Sequence, residues 1–261
     1  MKIYYIKKNA IINIITVIVI AIISVLYFNY GAPPIINTFL NIDRELPIYS
    51  VDIPDKRVAI SFDASWGSDK TEKLLNILKD KNIKTTFFLT GLWVDKYPNL
   101  VKKIAEEGHE VENHSNTHPH MSQLNENQII DELKSNEEKI INLSGKKPTL
   151  FRPPFGDYNN RLIETAKSLG YYTIQWDVDS LDWKGLDTEA IIERVLPNVK
   201  NGSIILFHNN GNFTADALPY IIDKLKEKGF QIVPVSQLIY KENYYIDHEG
   251  KQHLKKDSSN S

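Results

Sequence analysis

The sequence predicts an α/β fold: a distorted (β/α) barrel of about seven strands, preceded by an N-terminal transmembrane helix. Three observations carry this. Short apolar runs alternate with stretches of helical spacing from Lys56 to Leu238, as parallel strands joined by crossover helices require. About seven such units in roughly 190 residues fit a closed or nearly closed barrel, and no Gly-x-Gly-x-x-Gly follows the first strand to favour an open dinucleotide-binding sheet. Ahead of them, Ala10 to Phe28 is an uncharged run rich in Ile and Val. Its nineteen residues rise about 28 Å as a helix, close to the thickness of a bilayer core.

Each element has a local reason. Lys2, Lys7 and Lys8 precede the apolar run, so the N-terminus is expected to stay cytoplasmic and the rest to lie outside, a single-pass membrane protein. No small-x-small site follows, which favours an uncleaved anchor over a cleaved signal. Residues 31–53 are Pro-containing and aperiodic and read as a linker. Val58–Phe62 is an apolar run stopped by Asp63 and reads as a buried strand. Thr71–Leu78 follows as a helix, with Leu74, Leu75, Ile77 and Leu78 on one face. Thr85–Leu89 and Glu110–Asn113 are strand-like around a helix at Leu100–Glu107, which Gly108 ends. A long amphipathic stretch, Asn125–Leu143, ends at Ser144-Gly145. Strands at Thr149–Phe151, Tyr171–Trp176, Ser203–Phe207 and Gln231–Val235 then alternate with helices at Arg161–Leu169, Thr188–Val199 and Leu218–Lys228. The folded domain is thus expected over residues 54–240, after a stub and anchor at 1–30, with 241–261 a polar, mostly disordered tail.

Composition excludes several function classes. Apolar residues are 42% and charged residues 25%, which argues for a globular chain and against disorder. The balance of 31 basic to 33 acidic residues speaks against a nucleic-acid partner held by phosphate neutralisation. With no cysteine there is no disulfide framework, no thiolate nucleophile and no Cys-ligated metal.

The chemistry-capable residues fall just after expected strands. Asp63 ends the first; His114 and His118 follow the third; Arg152 ends the fourth; Asp177, Asp179, Asp182 and Trp183 follow the fifth; His208 ends the sixth. In a (β/α) barrel that is the face on which active sites are built. His114 and His118, four apart, would share one metal ion if they lay on a helical turn. His120 is a weaker third candidate, His109 reads as structural, and His248 and His253 as solvated.

Five segments come in a telling order: Phe62-Asp63, His114-Ser115-Asn116-Thr117-His118, Arg152-Pro153-Pro154-Phe155-Gly156, Asp179-Ser180-Leu181-Asp182-Trp183 and Leu206-Phe207-His208. In order and spacing they resemble the motifs of polysaccharide deacetylases, the NodB-homology group or carbohydrate esterase family 4, over roughly Lys56 to Leu238. The resemblance implies a NodB-like barrel. It also implies a hydrolase of non-peptide carbon–nitrogen bonds in linear amides, with amino sugars of cell-wall peptidoglycan as the glycan partner. His114 and His118 would hold a divalent metal, zinc, cobalt or nickel, that lowers the pKa of bound water. Asp63 would be the general base and Arg152 would hold it ionised. His208, oriented by Asp182, would protonate the leaving amine. The backbone N–H of Phe155 would stabilise the oxyanion, and Trp183 and Leu206 would receive the acetyl methyl. Phe62-Asp63-Ala64-Ser65-Trp66-Gly67, with the single anchor, looks like the sporulation-associated, PdaB-like branch.

One position departs from the pattern. The family has a second aspartate after the base, a metal ligand, where this chain has Ala64. Two neutral imidazoles alone bind a dication weakly. Asp63 could slide onto the metal, waters could complete its shell, or the metal could be absent and the chain a wall-glycan binder without turnover.

Overall fold

The computed structural model describes residues 16–22, 24, 25 and 44–255. Of the expected membrane helix only 16–22, 24 and 25 fall among these; they are helical, and among the described residues no helix is long and apolar enough to cross a membrane. The rest of that segment, most of the expected linker and residues 256–261 lie outside the described residues. Residues from Glu45 onward form one folded unit.

The frame is a parallel sheet built around one central strand. β1 (Ser50–Val51) enters first, then β2 (Arg57–Ala64), in which every residue after Arg57 is buried. Such a strand needs apolar neighbours on both faces, which only crossover helices and a barrel interior provide. The following elements are α1 (Thr71–Asp80), β3 (Thr86–Leu89), α2 (Gly91–Lys96), α3 (Pro98–Glu106), β4 (Glu110–Asn113), α4 (Glu126–Ser144), β5 (Leu150–Phe151) and α5 (Asn160–Ser168). Then come β6 (Tyr172–Thr173), β7 (Val178–Asp179), α6 (Thr188–Val195), β8 (Ile204–His208), α7 (Thr214–Glu227), β9 (Gln231–Ile232) and α8 (Val235–Leu238). Seven strands run in the order β6-β5-β4-β3-β2-β8-β7, all parallel, with β9 also pairing with the start of β2. Because β6 and β7 do not pair, the barrel is a half-barrel rather than a closed one.

Strand alternation sorts the core into layers. Val58, Ile60 and Phe62 pack with Leu74, Leu78, Leu218 and Ile221 between sheet and helices. Ala59, Phe88, Leu150, Ile174 and Ile204 fill the opposite side. Asp63 continues the Ala59 series, at the carboxyl end of β2. Register does the rest: Asp63 sits level with Phe88 on β3 and His208 on β8.

Two segments read as irregular belong to the fold. Residues 48–53, read as linker, belong to the domain. Ile48 bridges to Ile174 beyond β6, and the Val51 N–H donates to Gly202 O ahead of β8, so this stretch ties the end of β6 to the start of β8. Its apolar residues are too few and too irregular to show a period, though Ile48 and Val51 are fully buried. The supposed tail also folds, as a hairpin of β10 (Tyr244–Ile246) and β11 (Lys251–Leu254), with β11 parallel to β1. Apart from Ile246 against the core and Tyr244 beside Tyr172, its contacts are mostly polar, which is why hydrophobic periodicity misses it. Buried Gln252 accepts from Tyr240 N at 2.9 Å and donates to Tyr240 O at 2.7 Å. His253, expected to be solvated, bridges Asp52 (3.1 Å) and Asp247 (2.8 Å) and stacks on Tyr245. Gly250 turns at φ +81°, where a β-carbon would collide with the Tyr49 ring.

The hydrogen bonds to Asp247 and Asp52 raise the pKa of His253, and those carboxylates are lowered in turn, Asp52 by Lys251 and His253. The imidazolium's contribution is complete below about pH 6.5 and fades as pH rises through its raised value. The carboxylates' contribution is present above about pH 3.8 and is lost on acidification through their lowered values. His253→Ala is therefore expected to lower the melting temperature by about 1–3 °C at pH 5.5 and by less at pH 9, the small size reflecting solvent screening. An equal effect at both pH values would show that the bridge is not ionic.

Candidate active site

The carboxyl ends of β2, β4, β5, β7 and β8 converge on one cavity of about 490 Å³. Its walls include Asp63, His114, His118, Phe155, Trp183, Leu206 and His208. Arg152 and Asp182 stand behind them, each within hydrogen-bond distance of a wall residue.

Arg152 is fully buried. Its Nη1 donates to Asp63 Oδ1 at 2.7 Å, its Nη2 donates to Gln175 O at 3.1 Å, and its guanidinium lies over the Phe88 ring at 4.1 Å. Burial pushes the Asp63 carboxyl up, but the charges of Arg152, His114 and His208 and the Arg152 hydrogen bond outweigh it, so Asp63 lies below its ordinary pKa. The side chain is an anion at neutral pH in a place that would otherwise neutralise it.

The two imidazoles converge, though not on a helical turn. Residues 114–120 form a loop in which Ser115 and His118 adopt left-handed backbone (φ +68° and +60°). Side chains hold this strained path. Asn113 Oδ1 accepts from Ser115 N, Ser115 Oγ accepts from His118 N, and the Glu132 carboxylate of α4 accepts from Asn116 N and Thr117 N. Asn136, one turn further along α4, donates to Asn113 Oδ1. The ring centroids of His114 and His118 end 5.1 Å apart. His114 Nδ1 lies 2.7 Å from Arg152 O, which accepts its proton, so Nε2 carries the lone pair and faces Asp63 Oδ2 at 3.6 Å. Burial depresses both imidazoles, His118 to about 4, so they are neutral at pH 7.

His208 is the opposite case. Burial lowers its pKa, but the hydrogen bond and charge of Asp182, with Asp63 and Asp179 beyond, carry it above 6.5. Asp182 is buried and accepts from His208 Nδ1 (2.8 Å), His208 N (2.8 Å) and Thr214 Oγ1 (2.6 Å). Gly211 permits this packing, since a β-carbon there would strike Thr214 Oγ1 and the Asp182 carboxylate. Around the mouth Trp66, Phe155 and Trp183 are each about 60% exposed. Phe155 also has left-handed backbone, and its ring stacks on His120 at 4.4 Å. That contact and the Asp157 carboxylate at 3.4 Å take His120 away from the imidazole pair.

The motifs give no sign of Trp176, Asn210, Glu132 or Asn136. Trp176 and Asn210 line the cavity, and the last two fix the histidine loop. Glu132 and Asn136 are four apart in α4, a spacing that signals one shared face and nothing of what it holds.

A divalent metal, which the motifs imply, is only partly provided for. His114 and His118 have the right protonation state and the right neighbours. At the third position the Ala64 methyl is fully buried in the apolar layer between sheet and helices. Among the described residues no group of three His, Cys, Asp or Glu side chains is placed to hold a metal ion. The residues present do not fit a three-ligand site.

The Asp63–Arg152 pair also bears on stability. Arg152→Met leaves a buried carboxylate without its partner and is expected to cost about 3–5 kcal/mol in urea unfolding. Adding Asp63→Asn should recover much of that loss, and a double variant no more stable than Arg152→Met would refute the pairing.

Comparison with known proteins follows the same lines. Residues 50–174 match the family model for polysaccharide deacetylase. The chain is 38% identical over 185 residues to a peptidoglycan-N-acetylglucosamine deacetylase of Bacillus cereus, covering 69% of this chain and 67% of that one. It is 39% identical over 194 residues to the uncharacterized protein YlxY of Bacillus subtilis, covering 74% of this chain but only 60% of that relative's length. Among solved structures, a family 4 carbohydrate esterase pseudoenzyme from Bacillus anthracis superposes with a TM-score of 0.72 at 31% identity, covering 80% of this chain and 73% of that one. A mutant of that pseudoenzyme with restored enzymatic activity gives the same TM-score at 35% identity, over 74% of this chain and 70% of the mutant's. With its seven-stranded half-barrel, its ordered motifs and these relatives, the chain belongs to the polysaccharide deacetylase family.

Proposed function

We propose that the chain hydrolyses N-acetyl groups from amino sugars of cell-wall peptidoglycan. The observation that carries this reading is the placement, at equal register on neighbouring strands, of a carboxylate held ionised and an imidazole biased toward protonation, facing one cavity. Asp63 takes a proton from the attacking water, and Arg152 keeps that base charged and oriented. Trp183 and Leu206 receive the acetyl methyl, and the Phe155 N–H stabilises the oxyanion. His208 gives its Nε2 proton to the departing amine nitrogen while Asp182 holds Nδ1, releasing acetate and a free amino sugar. With the cation cage incomplete, a slow reaction is expected.

The segment Ala64-Ser65-Trp66 supports the sporulation-associated branch, and the uncharged run behind Lys2, Lys7 and Lys8 supports a membrane-tethered domain on the extracytoplasmic side. A second reading, glycan binding without turnover, is favoured by Ala64 and by the pseudoenzyme among the structural relatives.

Acetate release from acetylated wall glycan by the full chain tests both. Asp63→Asn is expected to lower the rate by at least about 100-fold, the usual contribution of a general base. Release from Ala64→Asp but none from the native chain would establish the second reading, and none from either would end the first. The rate should fall on acidification through the lowered Asp63 pKa and on alkalinisation through the raised His208 pKa. Asp182→Asn should move the alkaline limb, and not the acid limb, to lower pH.

A further inference from the structure

Gln175 is a polar residue in an apolar place. It follows Ile174 just past β6, inside the run Tyr171–Trp176, and is only 1% exposed. A buried amide costs stability unless its polar atoms find partners. None of the five ordered segments contains it.

Its bonds reach two parts of the site at once. The backbone carbonyl accepts from Arg152 Nη2 at 3.1 Å, behind the Asp63 carboxylate. The backbone N–H donates to Ile48 O at 2.7 Å, which anchors the residue to the entering segment. The side-chain Nε2 donates to Gly156 O at 3.0 Å.

That last bond lands on a strained turn. Pro153 and Pro154 fix two φ angles and offer no N–H. Phe155 and Gly156 then adopt left-handed backbone in succession, φ +60° and +67°. A bulky L-residue is disfavoured there and persists only where its surroundings over-determine it. The turn's own bonds are long, Gly156 N to Pro153 O at 3.2 Å and Asp157 N to Pro154 O at 3.1 Å. Among the described residues, Gln175 is the one side chain that bonds the backbone of residues 153–157. Gly156 is shaped to receive it: a β-carbon there would lie 3.1 Å from the Trp176 ring and 3.3 Å from Gln175 Oε1.

We propose that Gln175 is a positioning residue of this cavity: by holding Gly156 O it keeps the Pro153–Asp157 turn in its left-handed form, and so sets where the Phe155 N–H meets the oxyanion. This rests on the reading of Phe155 as the oxyanion donor. Arg152 uses the backbone carbonyl of Gln175 and not its side chain, so a side-chain substitution separates the two roles.

The test uses the full chain, isotope-labelled at phenylalanine and glutamine nitrogen. Ten phenylalanines give few signals, and that of Phe155 is the one lost in Phe155→Tyr. Acetate is the probe, because its carboxylate oxygen stands in for the negative oxygen. In the native chain acetate should move the Phe155 amide proton downfield as that N–H donates to the added oxygen. Gln175→Met keeps the length of the side chain and loses the donor, and should remove most of that shift. In acetate release from acetylated wall glycan the same variant should lower kcat at least about tenfold, as misplaced groups do. KM should change by less than about twofold, because the oxyanion forms only in the transition state. A side chain that merely supports the fold would lower the melting temperature and leave the Phe155 response intact. A further arm needs no variant to fold: in the native chain the Gln175 side-chain protons should exchange with solvent at least about tenfold more slowly than those of exposed Gln231. Exchange at the Gln231 rate, no native response at Phe155, a response that survives Gln175→Met, or a loss confined to KM would each overturn the proposal. Absence of acetate release from the native chain fails the hydrolytic reading alone, because the acetate titration needs no turnover.

Discussion

A guanidinium out of reach of water, facing a carboxylate at 2.7 Å, is the constraint from which the rest of the site follows. Neither Arg152 nor Asp63 is tolerable there alone, because each would be an uncompensated charge in a low-dielectric interior. Together they tie the end of β5 to the end of β2. The Arg152 backbone extends the tie: its N–H donates to Asn113 O at the end of β4, and its carbonyl accepts from His114. One residue therefore biases the protonation state of a carboxylate, the tautomer of an imidazole and the relative placement of three strand ends.

Asp182 plays the matching part on the other wall. It accepts from both the ring and the backbone of His208, so the imidazole is held in place and biased toward its charged form by the same group. His114 and His118 sit across the cavity in surroundings that favour the neutral form. One cavity thus holds two kinds of histidine, one biased toward its charged form and two toward the neutral form. The Asp63–Arg152 and Asp182–His208 pairs are both formed, whereas Ala64 leaves the imidazole pair without a neighbouring carboxylate at that position.

Much of this was legible in the sequence because strand ends are legible. Runs such as Val58–Phe62 and Ser203–Phe207 stop at polar residues, and in a parallel barrel those stops share one face. Spacing alone gave a mistaken geometry for His114 and His118: four residues apart suggested a helical turn, whereas left-handed backbone at Ser115 and His118, clamped by Glu132 and Asn136, brings the rings together. Such clamps leave no periodic trace. The same holds for residues 48–53, whose buried Ile48, Val51 and Ile53 show no period, and for the β10–β11 hairpin, where backbone ladders, the Gln252 amide and the His253 bridge supplement sparse apolar contact. The helix expected to run on to Val199 stops at Val195, and Pro197 two residues later gives the reason, since it cannot donate to the helical ladder.

The pairing of β1 with β11 sets Ser50 beside Lys251, so the first and last strands of the folded unit are laced to each other. Neither can peel away alone, because loss of one strips the other of its backbone partners.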